Sequence, residues 1–212
     1  MVKLILVRHG YSLSNQDGTF TGQLDIGLTE MGYQQAELVS DYLLKNYKVD
    51  AIYSSDLSRA MDTVKKVADV LNLKIVPLKA LREIYGGKWE GVKFDSLKEE
   101  YGEFYERWTQ DKGYVRCPDG ECMDDVRIRA LDALNKICQE NEGKTVLIAS
   151  HGGVLRSLQC EFLNIPMSKF QEVQWIPNAG ICIVEYENGK YTAKTMGFTE
   201  HLEGLKTNLP NI

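Results

Sequence analysis

Only three histidines occur in the 212-residue chain, and two of them occupy the same kind of place: an apolar run ends, an imidazole follows, and a glycine comes next. Leu4-Ile5-Leu6-Val7 leads into Arg8-His9-Gly10, and Val146-Leu147-Ile148-Ala149 leads into Ser150-His151-Gly152-Gly153. A third segment, Ser55-Asp56-Leu57-Ser58-Arg59, puts a cation near the first turn of an expected helix, where it opposes the helix dipole. A fourth, Leu81-Arg82-Glu83-Ile84-Tyr85-Gly86-Gly87, adds a carboxylate. Holding an anion takes only cations and backbone N–H groups. Two imidazoles with a glutamate imply that one group attacks while another moves a proton. An unprotonated imidazole, its tautomer fixed through the other nitrogen, is a covalent nucleophile. Guanidinium groups grip phosphoryl oxygens as planar forks, and a carboxyl can protonate a departing alkoxide. Together these residue types point to phosphoryl transfer.

The elements that must position them are legible. Short aliphatic runs bounded by polar residues or glycine predict strands at Val2–Val7, Ala51–Ser54, Lys74–Leu78 and Thr145–Ala149, each buried on both faces. Helical spacing predicts helices over Glu30–Lys45 with Thr29 as N-cap, over Leu57–Leu71, over Met123–Gln139, and from Gly152-Gly153 onward. This alternation implies an α/β fold, a three-layer α/β/α sandwich around a mostly parallel sheet. Asn188-Gly189 between Gly180–Glu187 and Tyr191–Gly197 is a type I′ hairpin signal, so the last strands should be antiparallel. Residues 86–120 break the alternation and read as a helical insertion over the active site within a single domain, 1–212. Its stripe Tyr101, Phe104, Tyr105, Trp108 reads first as the insertion's own core. In open α/β sheets ligands collect at the carboxyl ends of strands, where all four chemical segments fall.

Composition narrows the partners. A net charge of −5 supplies no basic field for nucleic acid or an anionic membrane, so cations that hold an anionic ligand must be local. No apolar run approaches the roughly 20 residues of a bilayer span, and the first strand is too short for a signal-peptide core. The five cysteines are odd in number and form no C-x-x-C, which argues against a disulfide framework or zinc site and for a reducing cytoplasm. His201, past the hairpin, reads as a surface residue. Lys88, Lys93, Lys98 and Lys112 read equally as solvated charges or as contacts to an anionic substrate. Tyr85, Trp89 and Phe94 hint at a pocket tolerant of apolar leaving groups.

The whole resembles the histidine phosphatase superfamily, in its phosphoglycerate mutase-like branch. The resemblance rests on five blocks in order: Leu6-Val7-Arg8-His9-Gly10 with Asn15; Thr21-Gly22-Gln23-Leu24-Asp25 running into Leu28-Thr29-Glu30-Met31-Gly32; Ser54-Ser55-Asp56-Leu57-Ser58-Arg59-Ala60; Leu81-Arg82-Glu83-Ile84 with Trp89-Glu90-Gly91; and Ser150-His151-Gly152-Gly153. It implies that His9 is the nucleophile of a phosphohistidine intermediate and Glu83 the proton donor. Arg8, Arg59 and His151 would cradle the phosphoryl oxygens, with Asn15, Thr21, Gly22 and Gly152 as further phosphate contacts. No metal or other cofactor is expected, since arginines take the metal's place. Four positions depart from the family pattern: Tyr11, Gln23, and Asp119 and Cys122 of Pro118-Asp119-Gly120-Glu121-Cys122 in place of P-G-G-E-S, where Cys122 is expected to weaken a helix cap or a contact near the site.

Three functions remain to be separated. The first is a metal-independent phosphatase acting on a small phosphorylated metabolite. The second is a bisphosphoglycerate-dependent mutase, which needs further cations for a second phosphate. The third is a catalytically weak phospho-ligand binding protein. Between Gly86 and Gly120 only Arg107 and Arg116 occur, far apart, where the family's mutases carry an adjacent pair. The phosphatase reading is therefore preferred. The sequence carries no mark of oligomeric state, and a homodimer stays open.

Overall fold

In the computed structural model, which describes residues 1–207, the strands and α-helices run β1 (Val2–Arg8), α1 (Leu13–Asp17), α2 (Glu30–Asn46), β2 (Ala51–Ser54), α3 (Ser58–Leu71), β3 (Ile75–Pro77), α4 (Phe94–Gln110), α5 (Met123–Glu140), β4 (Thr145–Ser150), α6 (Gly152–Phe162), β5 (Ile181–Glu187) and β6 (Lys190–Phe198). They build one sheet in the order β3-β2-β4-β1-β5-β6. The first four strands of that order are mutually parallel, and β5 and β6 are antiparallel to their neighbours. This is the expected α/β/α sandwich.

The apolar strands sort their side chains by parity. Val2, Leu4 and Leu6 of β1, with Val146 and Ile148 of β4, enter a core closed by Val126, Ala130 and Leu134 of α5 and Val154, Leu155 and Leu158 of α6. Ile5 and Val7, with Leu147 and Ala149, face the opposite core against Val39 and Leu43 of α2 and Ala60, Val64 and Val67 of α3. Successive strand residues point to opposite faces, so an uninterrupted apolar run supplies two cores at once.

Local chemistry sets the ends of the elements. The Thr29 hydroxyl accepts the Gly32 N–H at 3.0 Å and starts α2 as expected. At α5 the Asp125 carboxylate accepts both the Cys122 N–H (2.9 Å) and the Cys122 Sγ–H (3.2 Å), so the helix start is held from inside the helix despite the missing hydroxyl. Asn188 and Gly189 both take positive φ, 51° and 78°, as a type I′ turn requires. β3 is shorter than predicted. It is an edge strand ending in Pro77, which has no N–H to extend the ladder.

The expected surface position of His201 is corrected. The residue is 8% exposed, its ring stacks on Tyr42 and Phe198, and its Nε2 lies 3.0 Å from the Ala179 carbonyl. The three histidines differ in chain position, yet all are interior. All five cysteines are free and buried. Among the described residues no helix is long and apolar enough to cross a membrane.

Residues 86–120 carry α4, which bends where Gly102 leaves the helical conformation (φ 44°). Its aromatic stripe closes around Trp89. The Trp89 ring centroid lies 5.0 to 5.9 Å from those of Phe20, Tyr101, Phe104, Tyr105 and Trp108. Trp108 is buried in this core and Tyr101, Phe104 and Tyr105 pack partly buried against it, as read, while Trp108 also reaches a cavity wall. Trp89→Ala should lower stability by about 3–5 kcal/mol, and Trp89→Phe by clearly less. Urea unfolding followed by circular dichroism measures both, and equal losses would mean that ring packing is not what fastens the insertion.

Candidate active site

The site begins with the pairing of β1 and β4. Arg8 stands opposite Ser150, and the His9 N–H donates to the Ser150 carbonyl at 2.9 Å. The two imidazoles therefore leave adjacent strand ends in step, with ring centroids 5.1 Å apart. On the other side of β4, the Ser55 N–H donates to the Ala149 carbonyl (2.9 Å), and α3 then presents Arg59. The Ser150 hydroxyl donates to the Leu81 carbonyl at 2.8 Å and fastens the segment that bears Glu83. Arg8, His9, Asn15, Thr21, Gly22, Arg59 and Glu83 all line one cavity of about 170 Å³. His151 and Gly152 are not on its wall. His151 packs against His9, fully buried, and Gly152 sits against the Arg8 guanidinium, while Gly153 takes the wall position.

The surroundings of His9 settle its tautomer. Nδ1 lies 2.7 Å from the Gly10 carbonyl oxygen, which can only accept, so Nδ1 carries the proton and Nε2 keeps its lone pair. Burial, then the charges of Arg59 and Arg8, hold the His9 pKa well below its ordinary 6.5. The loop behind it is pinned on several sides. The Gly10 N–H donates to Thr63 Oγ1 at 2.9 Å. Asn178 Nδ2 donates to the His9 and Gly10 carbonyls (3.1 and 3.3 Å) and to Asn15 Oδ1 (3.1 Å). The loop meets the start of α2 backbone to backbone: a Cβ on Gly10 would fall 2.5 Å from the Gly32 carbonyl oxygen.

Two buried guanidiniums flank the ring. Arg8 donates Nη1 to the Ile176 carbonyl (2.6 Å) and leaves Nε without a partner. Arg59, 1% exposed, donates to the Leu24 and Gly22 carbonyls (2.7 and 2.9 Å). Desolvation pulls each down to about 10, against the opposing pull of Glu83. Neither makes an ion pair among the described residues, and both stay charged at neutral pH. His151 has no partner on either ring nitrogen among the described residues. Burial, followed by Arg59 and His9, holds its pKa well below 6.5.

Glu83 is held at both carboxyl oxygens. Oε1 accepts the Ile84 N–H and Oε2 the Gly153 N–H, each at 2.9 Å. Gly153 belongs to the first turn of α6, where free N–H groups and the helix dipole favour an anion. A Cβ on Gly153 would lie 2.3 Å from the Glu83 carboxyl, so glycine is what admits the carboxyl there. The backbone of Glu83 is fixed from behind. Arg129 donates to the carbonyls of Ala80, Arg82 and Glu83 (2.8, 2.6 and 2.9 Å) and pairs with Glu121 (2.9 Å), while Gln23 Nε2 reaches the Glu83 carbonyl at 3.2 Å.

Sequence reasoning missed several residues. Asn178, Arg129 and Trp175 have no pattern around them that marks a site. Lys112 was one of four undifferentiated lysines; it is 5% exposed and on the cavity wall, whereas Lys88, Lys93 and Lys98 are exposed. Of the aromatic residues proposed for the pocket, only Phe94 lines it. Trp89 is buried core and Tyr85 is 43% exposed.

Two guanidiniums with no carboxylate partner among the described residues, beside an imidazole that offers a lone pair, give one cavity both anion-binding and nucleophilic character. The chain belongs to the histidine phosphatase superfamily (branch 1), which it matches over residues 4–199. It is 32% identical over 202 residues to phosphoserine phosphatase 1 of Hydrogenobacter thermophilus, covering 95% of each chain. It is also 32% identical over 208 residues to a probable phosphoglycerate mutase, GpmB, of Yersinia pestis, covering 96% of each. Among solved structures, YhfR of Bacillus stearothermophilus superposes with a TM-score of 0.91 at 30% identity, covering 95% of this chain and 100% of that one.

All three imidazoles are held below 6.5, chiefly by burial. Below about pH 6.5 an unfolded imidazole takes up a proton that the folded one refuses. Their contribution to stability is therefore full above that pH and is lost as the pH falls through it. The urea midpoint should drop between pH 7.5 and 5.5, and the drop should shrink in His151→Gln. An unchanged midpoint would mean that the folded imidazoles take up protons over the same pH range as the unfolded ones.

Proposed function

We propose that this protein is a phosphomonoesterase that hydrolyses a small phosphorylated metabolite through a phosphohistidine on His9, without a metal. The observation that carries the reading is the proton of His9: with Nδ1–H committed to the Gly10 carbonyl, Nε2 is left free in a cavity flanked by Arg8 and Arg59. In the first half-reaction Nε2 attacks phosphorus, the bond to the ester oxygen breaks, and Glu83 gives that oxygen a proton. In the second, Glu83 takes a proton from water as its oxygen attacks the phosphohistidine, releasing inorganic phosphate and restoring His9. Arg8 and Arg59 are assigned to the equatorial oxygens, where charge spreads in the transition state. Asn15, Thr21 and Gly22 are assigned to substrate contacts at the rim. His151 and Gly152, buried behind the wall, are assigned to keeping the His9 ring and the Arg8 guanidinium in place until the phosphoryl group arrives. Phosphoserine, named for the Hydrogenobacter relative, is among the substrates the reading admits.

The mutase named for the Yersinia relative requires cations for a second phosphate. Arg116 is exposed and paired with Asp125, Arg107 is exposed over the Phe104 ring, and neither lines the cavity. Hydrolysis is therefore the reading supported. The free, buried thiols fit a reducing cytoplasm.

Phosphate release from phosphomonoesters with chelator present, and no bisphosphoglycerate-dependent isomerisation of 3-phosphoglycerate, is the expected pattern; the reverse pattern makes the protein a mutase. His9→Ala should abolish release while unfolding stays cooperative. Glu83→Gln should slow alkyl phosphates by roughly 100-fold and p-nitrophenyl phosphate far less, because p-nitrophenolate leaves without a proton. Equal losses on both would remove Glu83 from the acid role.

A further inference from the structure

Lys112 is a cation on the cavity wall to which the hydrolytic reading gives no task. It follows α4, and its carbonyl accepts the Met123 N–H at 3.1 Å, which ties it to the start of α5. Lysine can usually keep its ammonium in water by extending its stem, as the exposed Lys88, Lys93 and Lys98 do. Lys112 is instead 5% exposed, with Nζ 4.8 Å from the Trp108 ring centroid. No carboxylate pairs with it among the described residues. The neighbouring Asp111 carboxylate accepts the Tyr114 N–H, and Glu121 pairs with Arg129. Burial and the nearby Arg156 guanidinium pull the Lys112 pKa down to about 8. A buried, unpaired ammonium is costly, and the cavity is where its partner can enter. Its nearest wall neighbours, Trp108 and Met123, are uncharged, as is Phe94.

We propose that Lys112 receives a carboxylate on the leaving-group side of the substrate, so that the enzyme selects phosphate esters of hydroxy acids. The proposal rests on the hydrolytic reading for its orientation, phosphoryl group at His9 and leaving group toward the insertion. A single ammonium among aromatic and thioether groups matches a single negative charge. A second phosphate would bring two charges and three acceptor oxygens to one donor group, leaving oxygens desolvated and unpaired.

The test uses two ligands that differ only at the position in question: 3-phosphoglycerate carries a carboxylate where glycerol 3-phosphate carries a hydroxymethyl group. Calorimetric binding to the His9→Ala protein needs no turnover. Binding of 3-phosphoglycerate should be at least tenfold tighter than that of glycerol 3-phosphate, Lys112→Met added to His9→Ala should erase the difference, and Lys112→Arg should restore part of it. In the His9-intact enzyme the same ratio should appear in kcat/KM and vanish in Lys112→Met, with turnover of glycerol 3-phosphate changed less than threefold. A wild-type ratio near one, or equal losses on both ligands, would overturn the carboxylate assignment. Discrimination in binding with no hydrolysis of either ligand by the His9-intact enzyme would instead sink the hydrolytic reading and keep the subsite.

Discussion

The reacting end of the site depends on one constraint, the register of the parallel pair β1 and β4. Arg8 lies opposite Ser150, so His9 and His151 leave the sheet side by side. Side chains alternate with period two, and a slip of one residue would exchange the two faces of the strand. Leu4 and Leu6 would then face the core that receives Ile5 and Val7, and both cores would have to repack. Burial on both faces thus fixes the register far more strongly than the ladder hydrogen bonds alone. The 5.1 Å between the imidazoles follows from hydrophobic packing along the strands that carry them.

That placement creates an electrostatic conflict whose resolution leaves His9 with the neutral ring that the proposed attack requires. Two guanidiniums and two imidazoles share a buried region in which Glu83 offsets both arginines, and Asp25 and Glu90 add to the offset of Arg59. Four positive charges cannot be tolerated there, and the groups that yield are those with the weakest hold on a proton. Desolvation takes the arginines to about 10, still well above neutral pH, so they stay cationic. The same desolvation, added to the arginines' own field, leaves the imidazoles neutral. The cations that would hold the phosphoryl group therefore also favour the neutral His9 ring on which the proposed attack depends. The Gly10 carbonyl then decides which nitrogen carries the lone pair.

What the sequence disclosed, and what it hid, follows from how far each interaction reaches along the chain. Strand ends, the Thr29 cap and the Asn188-Gly189 turn are local, and all could be read from a few residues. His9, Arg59, Glu83 and His151 were legible because each follows a recognisable element end, at which an α/β sheet collects its chemistry. Asn178 bonds to residues more than 160 positions earlier, and Arg129 holds a segment 46 to 49 positions earlier; neither carries a local signature. Lys112 is hidden for another reason. Its neighbours in sequence, Asp111 and Gly113, look like those of any surface lysine, and only its tie to the start of α5 and its place over the Trp108 ring turn it inward. His201 misled in the same way, because a histidine beyond the last strand gives no hint that Tyr42 and Phe198 will enclose it.

The two ends of the cavity are therefore built by different means, and this bears on how specificity is set. Near His9 the groups are held by short-range contacts: His9 through Nδ1 to the Gly10 carbonyl, Arg8 and Arg59 through loop carbonyls, Glu83 through the first turn of α6, and His151 by burial against the His9 ring. The rest of the wall draws on the insertion and its flanks: Phe94 and Trp108 on a helix that Gly102 bends, and Lys112 just beyond that helix. These residues touch the reacting groups only across the cavity. Replacing one of them alters what fits beside the phosphoryl group without moving His9, its tautomer or the Glu83 carboxyl. A scaffold so divided can keep one reaction and exchange leaving groups, and in this chain the exchangeable wall carries a single buried positive charge.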